Sequence, residues 1–454
     1  MTKPSGGVAV RELLGEEKEL MAPDPRLGVP VPSYQGRSLG NLASSVWAAL
    51  APSREGEAPP LPPLAATFDP FHGRRPEGPV VVLLLDGLGW LALLASADRF
   101  PDGPAAGWVR QGRPITSVFP TTTTVALTSL STGAAPAQHG VLGHRVYLPH
   151  FGTVVELLRM SPLGVGPAES LVGPQWSPSM LSAVPSIYRR GLPTVALSRD
   201  RFEGTGFTRL IYDGATYAPY ATGSDLALSL AEILTRPEPP PLIVAYRDDL
   251  DVVQHQRGTR PELVDLELDR VDSLLSFVAR HLEPELARCT RVVVTGDHGQ
   301  VPMEASAQLV VDRDPTLLAH LSRPPSGDRR AAFFAARPGH LALLREGLEA
   351  RLPLGGHLIE MPVAVEAGLF GPPPFHPEIT ERLGDLLFLS PSPGGVSYTV
   401  PGARTRPHRM IAAHGGLEPP ELLIPLVSGM LDEIALGSSR TPHESPVARP
   451  GARA

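Results

Sequence analysis

Seven side chains that could bind divalent cations or attack phosphorus lie at or just beyond apolar runs of this 454-residue sequence. They comprise three carboxylates, three imidazoles and one hydroxyl: Asp86, Asp251, Asp297, His255, His298, His414 and Thr123. Mixed oxygen and nitrogen donors can hold two divalent ions roughly 3.5 to 4 Å apart, which clamp the oxygens of an in-line displacement. A threonine hydroxyl becomes a usable nucleophile when a metal contact lowers its pKa. The residues therefore predict a two-metal hydrolase with Thr123 as nucleophile.

Most of these residues have a simpler structural interpretation when taken alone. Asp86 precedes a glycine and could start a tight turn, while Asp251 and His255 are four apart and could form a solvated helix face. A threonine at the start of a helix is most often a capping residue. Asp297 and His298 are harder to explain, because glycines flank the pair and let the backbone crowd a site. It is the joint occurrence of all seven that favours a site.

The elements that must position these residues alternate between strands and helices. Aliphatic runs at 80–85, 194–197, 242–246 and 291–295 predict strands buried on both faces. Helical segments between them, including one expected at 178–191, predict right-handed βαβ units. Ligands of such sheets collect beyond the carboxyl ends of the strands. We therefore expect an α/β fold with a doubly wound, mostly parallel central sheet flanked by helices.

The threonine run 121–124 lies between a β-branched segment at 115–118 and apolar residues at helical spacing. A strand that turns directly into a helix leaves N–H donors and the positive end of the helix dipole free for an anion. A hydroxyl in that first turn can touch phosphorus while the helix end holds phosphate oxygens.

Composition and the placement of proline-rich segments predict the domain organisation. Residues 1–75 are rich in proline and predict an arm around a catalytic domain at 76–434, with an inserted cap at about 303–407 and a disordered tail at 435–454. The net charge of -7 argues against nucleic-acid binding, and the single cysteine excludes an internal disulfide framework. Without a signal-like or membrane-spanning apolar run, the expected location is cytoplasmic. The oligomeric state is left open.

Five motifs together resemble the alkaline phosphatase superfamily, specifically its type I phosphodiesterase/nucleotide pyrophosphatase branch. They are VVLLLDGLGW, FPTTTTVALTSLSTG followed by AAPAQHG, DLDVVQH, VVVTGDHG and AAHGG, and they cover 80–299 and 410–427. The resemblance implies an alkaline phosphatase-like fold and hydrolysis of small phosphate esters through a covalent phospho-threonine. It implies two metal ions, usually zinc, with manganese as a second option. It assigns one metal to Asp251, His255 and His414, and the other to Asp86, Asp297 and His298 with the nucleophile Thr123.

Two positions depart from the pattern of that branch. His144 stands where the diesterases usually have an asparagine that donates to a phosphate oxygen, and we carry the catalytic role over to its imidazole. Thr124 stands where they usually have an aromatic residue that stacks on a nucleotide base. The departures leave the phosphoester chemistry intact and put a nucleotide substrate in question.

The leading prediction is therefore a metal-dependent hydrolase of phosphodiester or phosphoanhydride bonds. A phosphomonoesterase or phosphonate hydrolase with the same site is an alternative, and it would need extra cations near the phosphate, for which Arg145, Arg247 and Arg257 are the candidates near the motifs. A sulfatase-like enzyme would normally have cysteine or serine at the nucleophile position. A non-catalytic metal- or phosphoryl-binding protein is the alternative from another class.

Overall fold

The computed structural model describes residues 13–51, 58–403 and 410–435. The predicted tail beyond Ala435 lies outside the described residues. Two large sheets and the helices around them form the architecture.

The central sheet has seven strands and confirms the predicted fold class. Six strands run in one direction, and the strand Leu423–Met430 runs antiparallel to both of its neighbours. In spatial order the strands are Gly112–Thr116, Leu423–Met430, Arg291–Gly296, Val80–Leu85, Leu242–Arg247, Thr194–Arg199 and Thr216–Tyr220.

Both faces of this sheet are covered, which explains why its middle strand is aliphatic throughout. Alternate side chains of a strand point to opposite faces, and the strand Val80–Leu85 follows this rule. Its first, third and fifth residues pack with helices Leu39–Leu50 and Thr123–Thr132. The other three pack on the opposite face with helices such as Gly223–Leu234 and Pro261–His281. The sheet is therefore doubly wound.

A second, antiparallel sheet of seven strands stands beside the first. It combines strands from 145–162 with strands from 326–389, in the spatial order His357–Glu360, Leu386–Leu389, Ala331–Phe334, Ser326–Gly327, Arg145–Leu148, Thr153–Glu156 and Ser161–Pro162. Two short ladders complete the strands: Val301–Pro302 with Ala412–Ala413, and Gln308–Val310 with Gly395–Ser397.

The remaining α-helices surround the two sheets. They are Glu16–Leu20, Trp90–Arg99, Pro104–Gln111, Pro136–His139, Gly206–Ile211, Asp249–Arg257, Pro284–Cys289, Pro315–His320, Leu341–Glu349, Met361–Glu366, Ile379–Leu383, Pro419–Leu422 and Leu431–Ala435. Short 3-10 turns occur at Pro149–Phe151, Pro178–Met180, Ile187–Arg190, Asp200–Phe202, Ala305–Ala307 and Val311–Arg313. Within the described ranges, every helix is too short or too polar to cross a bilayer.

One expected helix is wrong. Residues 178–191 form two 3-10 turns, Pro178–Met180 and Ile187–Arg190, instead of a continuous helix. Pro185 lies between them, and a proline inside a helix removes an N–H donor and clashes with the preceding turn.

Candidate active site

Three neighbouring strands of the central sheet deliver most of the predicted metal ligands to one edge. Asp86 directly follows the middle strand, Val80–Leu85. The strand on one side leads into helix Asp249–Arg257, which carries Asp251 and His255. The strand on the other side is followed by Asp297 and His298. Because the three strands are parallel and adjacent, their carboxyl ends meet at the same place.

The predicted ligands form two overlapping groups whose donor atoms lie within 4.8 Å of one another. Asp86, Asp297 and His298 form one group, and Asp251, His298 and His414 form the other. His298 Nε2 lies 3.3 Å from Asp297 Oδ2 and 3.6 Å from Asp86 Oδ1. His298 therefore stands at the junction of the two groups.

His255 lies at the open side of the same cluster. Its Nε2 is 3.3 Å from Asp251 Oδ1, and its ring centroid is 5.2 Å from that of His414. All three predicted imidazoles and all three predicted carboxylates thus meet in one place. The resemblance assigns His255 to the same metal as Asp251 and His414. In the structure, the compact group around Asp251 and His414 contains His298 instead.

The three imidazoles are held so that the same nitrogen faces the cluster. In each ring Nδ1 contacts a backbone carbonyl, which can only accept, so Nδ1 carries the proton and Nε2 presents a lone pair. The carbonyls are those of Ala412 for His255, Gly299 for His298 and Thr121 for His414, at 2.8, 3.2 and 3.0 Å.

The pKa values of both histidines that stack in the cluster fit this state. Burial, followed by a neighbouring imidazole, lowers the pKa of His298 to about 3 and that of His414 to about 3. Both rings are therefore neutral near pH 7, which is the form that binds a metal.

The three carboxyl groups are costly to ionise in this buried cluster. Burial and the nearby charges of Asp297 and Asp251 hold the pKa of Asp86 well above its usual value. Burial also raises the pKa of Asp251, and it raises the pKa of Asp297 to about 6. Asp86 Oδ1 and Asp297 Oδ2 are buried without a hydrogen-bond partner among the described residues. Buried acceptors of like charge without donors fit divalent cations bound by oxygen and nitrogen.

Thr123 is the first residue of helix Thr123–Thr132, which ends at Gly133 in the left-handed conformation. Its Oγ1 lies 3.2 Å from His298 Nε2. The N-cap residue is Thr122, so capping does not account for the Thr123 hydroxyl. That hydroxyl therefore lies beside the histidine that both ligand groups share, at the start of a ten-residue helix.

The loop that carries His414 is tied to the threonine run. Thr121 Oγ1 accepts from the N–H of Gly415 and donates to the carbonyl of Gly416, at 3.0 and 2.8 Å. Glu421 accepts from the N–H of Gly416 at 2.9 Å. These bonds fix the loop against the start of the helix that carries the proposed nucleophile.

A cavity of about 660 Å³ opens onto the cluster. Of the predicted site residues, it is lined by Thr123, His144, Asp251, His255 and His414. The other three, Asp86, Asp297 and His298, are at most 2% exposed and are reached from the lining residues. Thr124 is fully buried and donates to the carbonyl of Gly143 at 2.9 Å, so it does not face a ligand in the cavity.

The cations near the motifs have different positions. Arg145 lines the cavity. Arg247 is buried in ion pairs with Glu267 and Asp249, and Arg257 is exposed on the surface. Only the first of these three arginines can therefore contact a ligand in the cavity.

Two lining residues were missed by the sequence reasoning. Asp328 and Arg329 lie on the turn between strands Ser326–Gly327 and Ala331–Phe334. Burial opposes ionisation of Asp328, but its interactions with His414 and His144 and its hydrogen bonds with Thr122 and the backbone of Arg329 lower its pKa. The only signal in the sequence was a Gly-Asp-Arg-Arg segment just before the apolar run Ala331–Phe334, which is common at exposed turns.

Solved structures share this fold. Murine ectonucleotide pyrophosphatase/phosphodiesterase 5 has 16% identity and a TM-score of 0.56, with 77% of this chain and 87% of that chain covered. Its inactive variant in complex with AMP has 15% identity, the same TM-score and the same coverage. Phosphonoacetate hydrolase from Sinorhizobium meliloti 1021, in complex with phosphonoformate, has 18% identity and a TM-score of 0.54, with 81% and 97% covered.

Sequence comparison decides the family. No curated protein matches the chain. The family described as type I phosphodiesterase / nucleotide pyrophosphatase matches residues 80–339, which is more than half of the chain. The chain therefore belongs to the type I phosphodiesterase/nucleotide pyrophosphatase family of phosphoric ester hydrolases.

Proposed function

We propose that this protein hydrolyses phosphodiester or phosphoanhydride bonds through a covalent intermediate on Thr123. One observation carries the proposal: Thr123 Oγ1 lies 3.2 Å from His298 Nε2, at the junction of two buried groups of carboxylates and imidazoles. A hydroxyl that needed only a structural partner would not require three desolvated acids around it.

The metal ligands are proposed to be Asp86, Thr123, Asp251, His255, Asp297, His298 and His414, and they would hold two divalent ions. Bound there, the ions would lower the pKa of the threonine hydroxyl and neutralise charge on the leaving oxygen. The histidines contribute neutral Nε2 donors whose orientation the backbone carbonyls fix.

The proposed reaction has two displacements at phosphorus. The Thr123 hydroxyl gives up its proton to water, its Oγ1 forms a bond to phosphorus, the ester or anhydride bond breaks, and the departing oxygen takes a proton from water. Water then attacks the phospho-threonine from the opposite side and restores the hydroxyl. The N-terminus of helix Thr123–Thr132 and the imidazole of His144 donate to phosphate oxygens during both steps.

One neighbour in fold supports a role for a threonine, and another supports hydrolysis at phosphorus. The inactive murine variant carries a threonine-to-alanine change and binds AMP, and the bacterial neighbour is a phosphonate hydrolase. A phosphomonoesterase or phosphonate hydrolase is the second candidate, favoured by Arg145 and Arg329 in the cavity wall. Zinc or manganese as the resident metal, the cap at about 303–407 and the cytoplasmic location stay predictions.

The experiment compares wild type with Thr123→Ala after metal removal and reconstitution with Zn²⁺ or Mn²⁺. Turnover of bis-p-nitrophenyl phosphate and p-nitrophenyl phosphate separates diester from monoester preference. Thr123→Ala should lose at least about 1,000-fold in kcat and keep most of its metal, since six other ligands remain. The matched control, Thr124→Ala, should lose only a little activity, because its hydroxyl contacts a backbone carbonyl away from the cavity. Near-normal rates of Thr123→Ala would refute the nucleophile, and a fully metal-loaded wild type inactive on both esters would indicate a binding protein.

A further inference from the structure

The wall of the cavity is built from both sheets, and its arginines come from the second one. The proposed metal ligands belong to the central sheet and its loops. The second sheet adds the segments in which Gly327 pairs with Arg145 and Arg145 pairs with Glu156. This sheet contributes the cavity's arginines Arg145 and Arg329, with Arg159 on the loop that follows Glu156.

The arginines of this wall differ in their partners. Arg145 and Arg159 both contact the carboxylate of Glu156, each at 3.7 Å. Arg145 also donates to the carbonyl of Tyr398, and Arg159 donates to that of Gly166. One carboxylate is thus shared by two guanidinium groups.

Arg329 is half-buried, and its guanidinium has no hydrogen bond or ion pair with any residue in the described ranges. Its neighbour Asp328 does not supply one, because Asp328 Oδ1 accepts from the backbone N–H of Arg329 at 2.6 Å and the side chain lies towards Thr122, His144 and His414. Burial and the positive charge of Arg145 lower the pKa of Arg329 and outweigh the opposing charges of Asp328 and Glu156. A desolvated cation beside another cation is a binding site for an anion.

We propose that Arg329, with Arg145 nearby, determines specificity by binding a second anionic group of the substrate, a carboxylate or a phosphate. We place this group apart from the phosphoryl group at Thr123, because the arginines belong to strands and turns of the second sheet and not to the segments that carry the proposed metal ligands. The proposal rests on the proposed function for the first anion. The cavity, at about 660 Å³, is of the size that holds a small metabolite and exceeds the need of a lone phosphate.

The subsite would act on binding and on leaving-group position. A planar guanidinium can make two parallel hydrogen bonds to a carboxylate or a phosphate, which fixes orientation as well as distance. The bond between phosphorus and its leaving oxygen would then be aligned with Thr123. The preferred substrates would carry negative charge at both ends.

The test measures binding without turnover. The metal-loaded Thr123→Ala protein is titrated calorimetrically with phosphoglycolate and with phosphoglycolamide, which has a neutral amide in place of the carboxylate. We expect the acid to bind roughly 10- to 100-fold more tightly than the amide. Methyl diphosphate and methyl phosphate form the corresponding pair for a phosphate as the second anion. The pair with the larger ratio of affinities shows whether the subsite binds a carboxylate or a phosphate.

The variants locate the effect. Adding Arg329→Met to the Thr123→Ala protein should bring the ratio of acid to amide affinity close to one. Arg329→Lys should give an intermediate ratio, and it serves as the test if the methionine variant fails to fold. The matched control, Arg159→Met, removes a cavity arginine that already has partners and should change the ratio by less than about threefold.

Three results would overturn the proposal: ratios near one in the parent protein, equal weakening of acid and amide by Arg329→Met, or loss of the ratio in Arg159→Met as well. The second would place Arg329 on the scissile phosphoryl group. Failure of the proposed function would be recognised separately, as turnover that survives Thr123→Ala.

Discussion

Replacing Asp297 with asparagine should stabilise the metal-free protein, although Asp297 is a proposed metal ligand. Its Oδ1 accepts from the N–H groups of Gly87 and His298, at 3.0 and 2.9 Å, and an amide oxygen can keep both bonds. Oδ2 has no partner among the described residues and lies 3.3 Å from His298 Nε2. An amide NH₂ at that position could donate to the imidazole or to Asp86. The substitution therefore removes a buried charge and leaves no N–H donor without its hydrogen bond.

The magnitude follows from the pKa of Asp297, which burial raises from 3.8 to about 6. A carboxyl group whose pKa is higher in the folded than in the unfolded state stabilises the folded protein fully below pH 3.8. This stabilisation is lost as the pH rises through about 6. By the conversion of a pKa shift into free energy, the ionised group costs roughly 3 kcal/mol at pH 8 and about half of that at pH 5. Asp297→Asn should recover these amounts.

The assay is urea unfolding of the metal-free protein at pH 8 and pH 5, with the exposed Asp102→Asn as the matched control. Asp297→Asn should raise the free energy of unfolding by more at pH 8 than at pH 5, while the control should change neither. With metal at about 1,000 times its Kd, wild type should gain about 4 kcal/mol and the variant much less, so the order of stability reverses. An Asp297→Asn protein that is less stable than wild type at pH 8 without metal would refute the reasoning from burial and like charge.

Three further outcomes are expected. Arg330→Met should lower the free energy of unfolding by about 3–5 kcal/mol, because it leaves Glu421 buried without its paired guanidinium; unchanged urea unfolding would contradict this. Tyr246→Phe should weaken metal binding by about 10- to 100-fold in a chelator competition. The substitution removes the Tyr246 hydroxyl, which donates to Asp86 and thereby lowers the pKa of that carboxyl. Finally, metal affinity should fall at least about tenfold per pH unit well below about 6, because binding displaces the proton held by Asp297 and protons held by Asp86 and Asp251, whose pKa values burial also raises. An affinity independent of pH between 5 and 6 would show that these carboxyls hold no protons there.

Local patterns were sufficient for the parts of the fold that repeat along the chain. A strand buried on both faces has to be aliphatic throughout, so the middle strand Val80–Leu85 could be recognised without knowledge of its neighbours. The helix expected at 178–191 failed for a local reason as well, since Pro185 outweighed the apolar spacing around it.

The sequence by itself determined four strands of the parallel core and the carboxylates and imidazoles that follow three of them, whereas it missed the strand Thr216–Tyr220. It could do so because parallel strands bring their carboxyl ends to one edge whatever the loops between them do. Tertiary structure alone decided that His298 joins both ligand groups, that each imidazole presents Nε2, and that Arg329 faces the cavity. Those features depend on contacts with backbone carbonyls and on pairing between segments almost two hundred residues apart. The antiparallel register that brings Gly327 beside Arg145 cannot be recognised from the residue pattern of either segment.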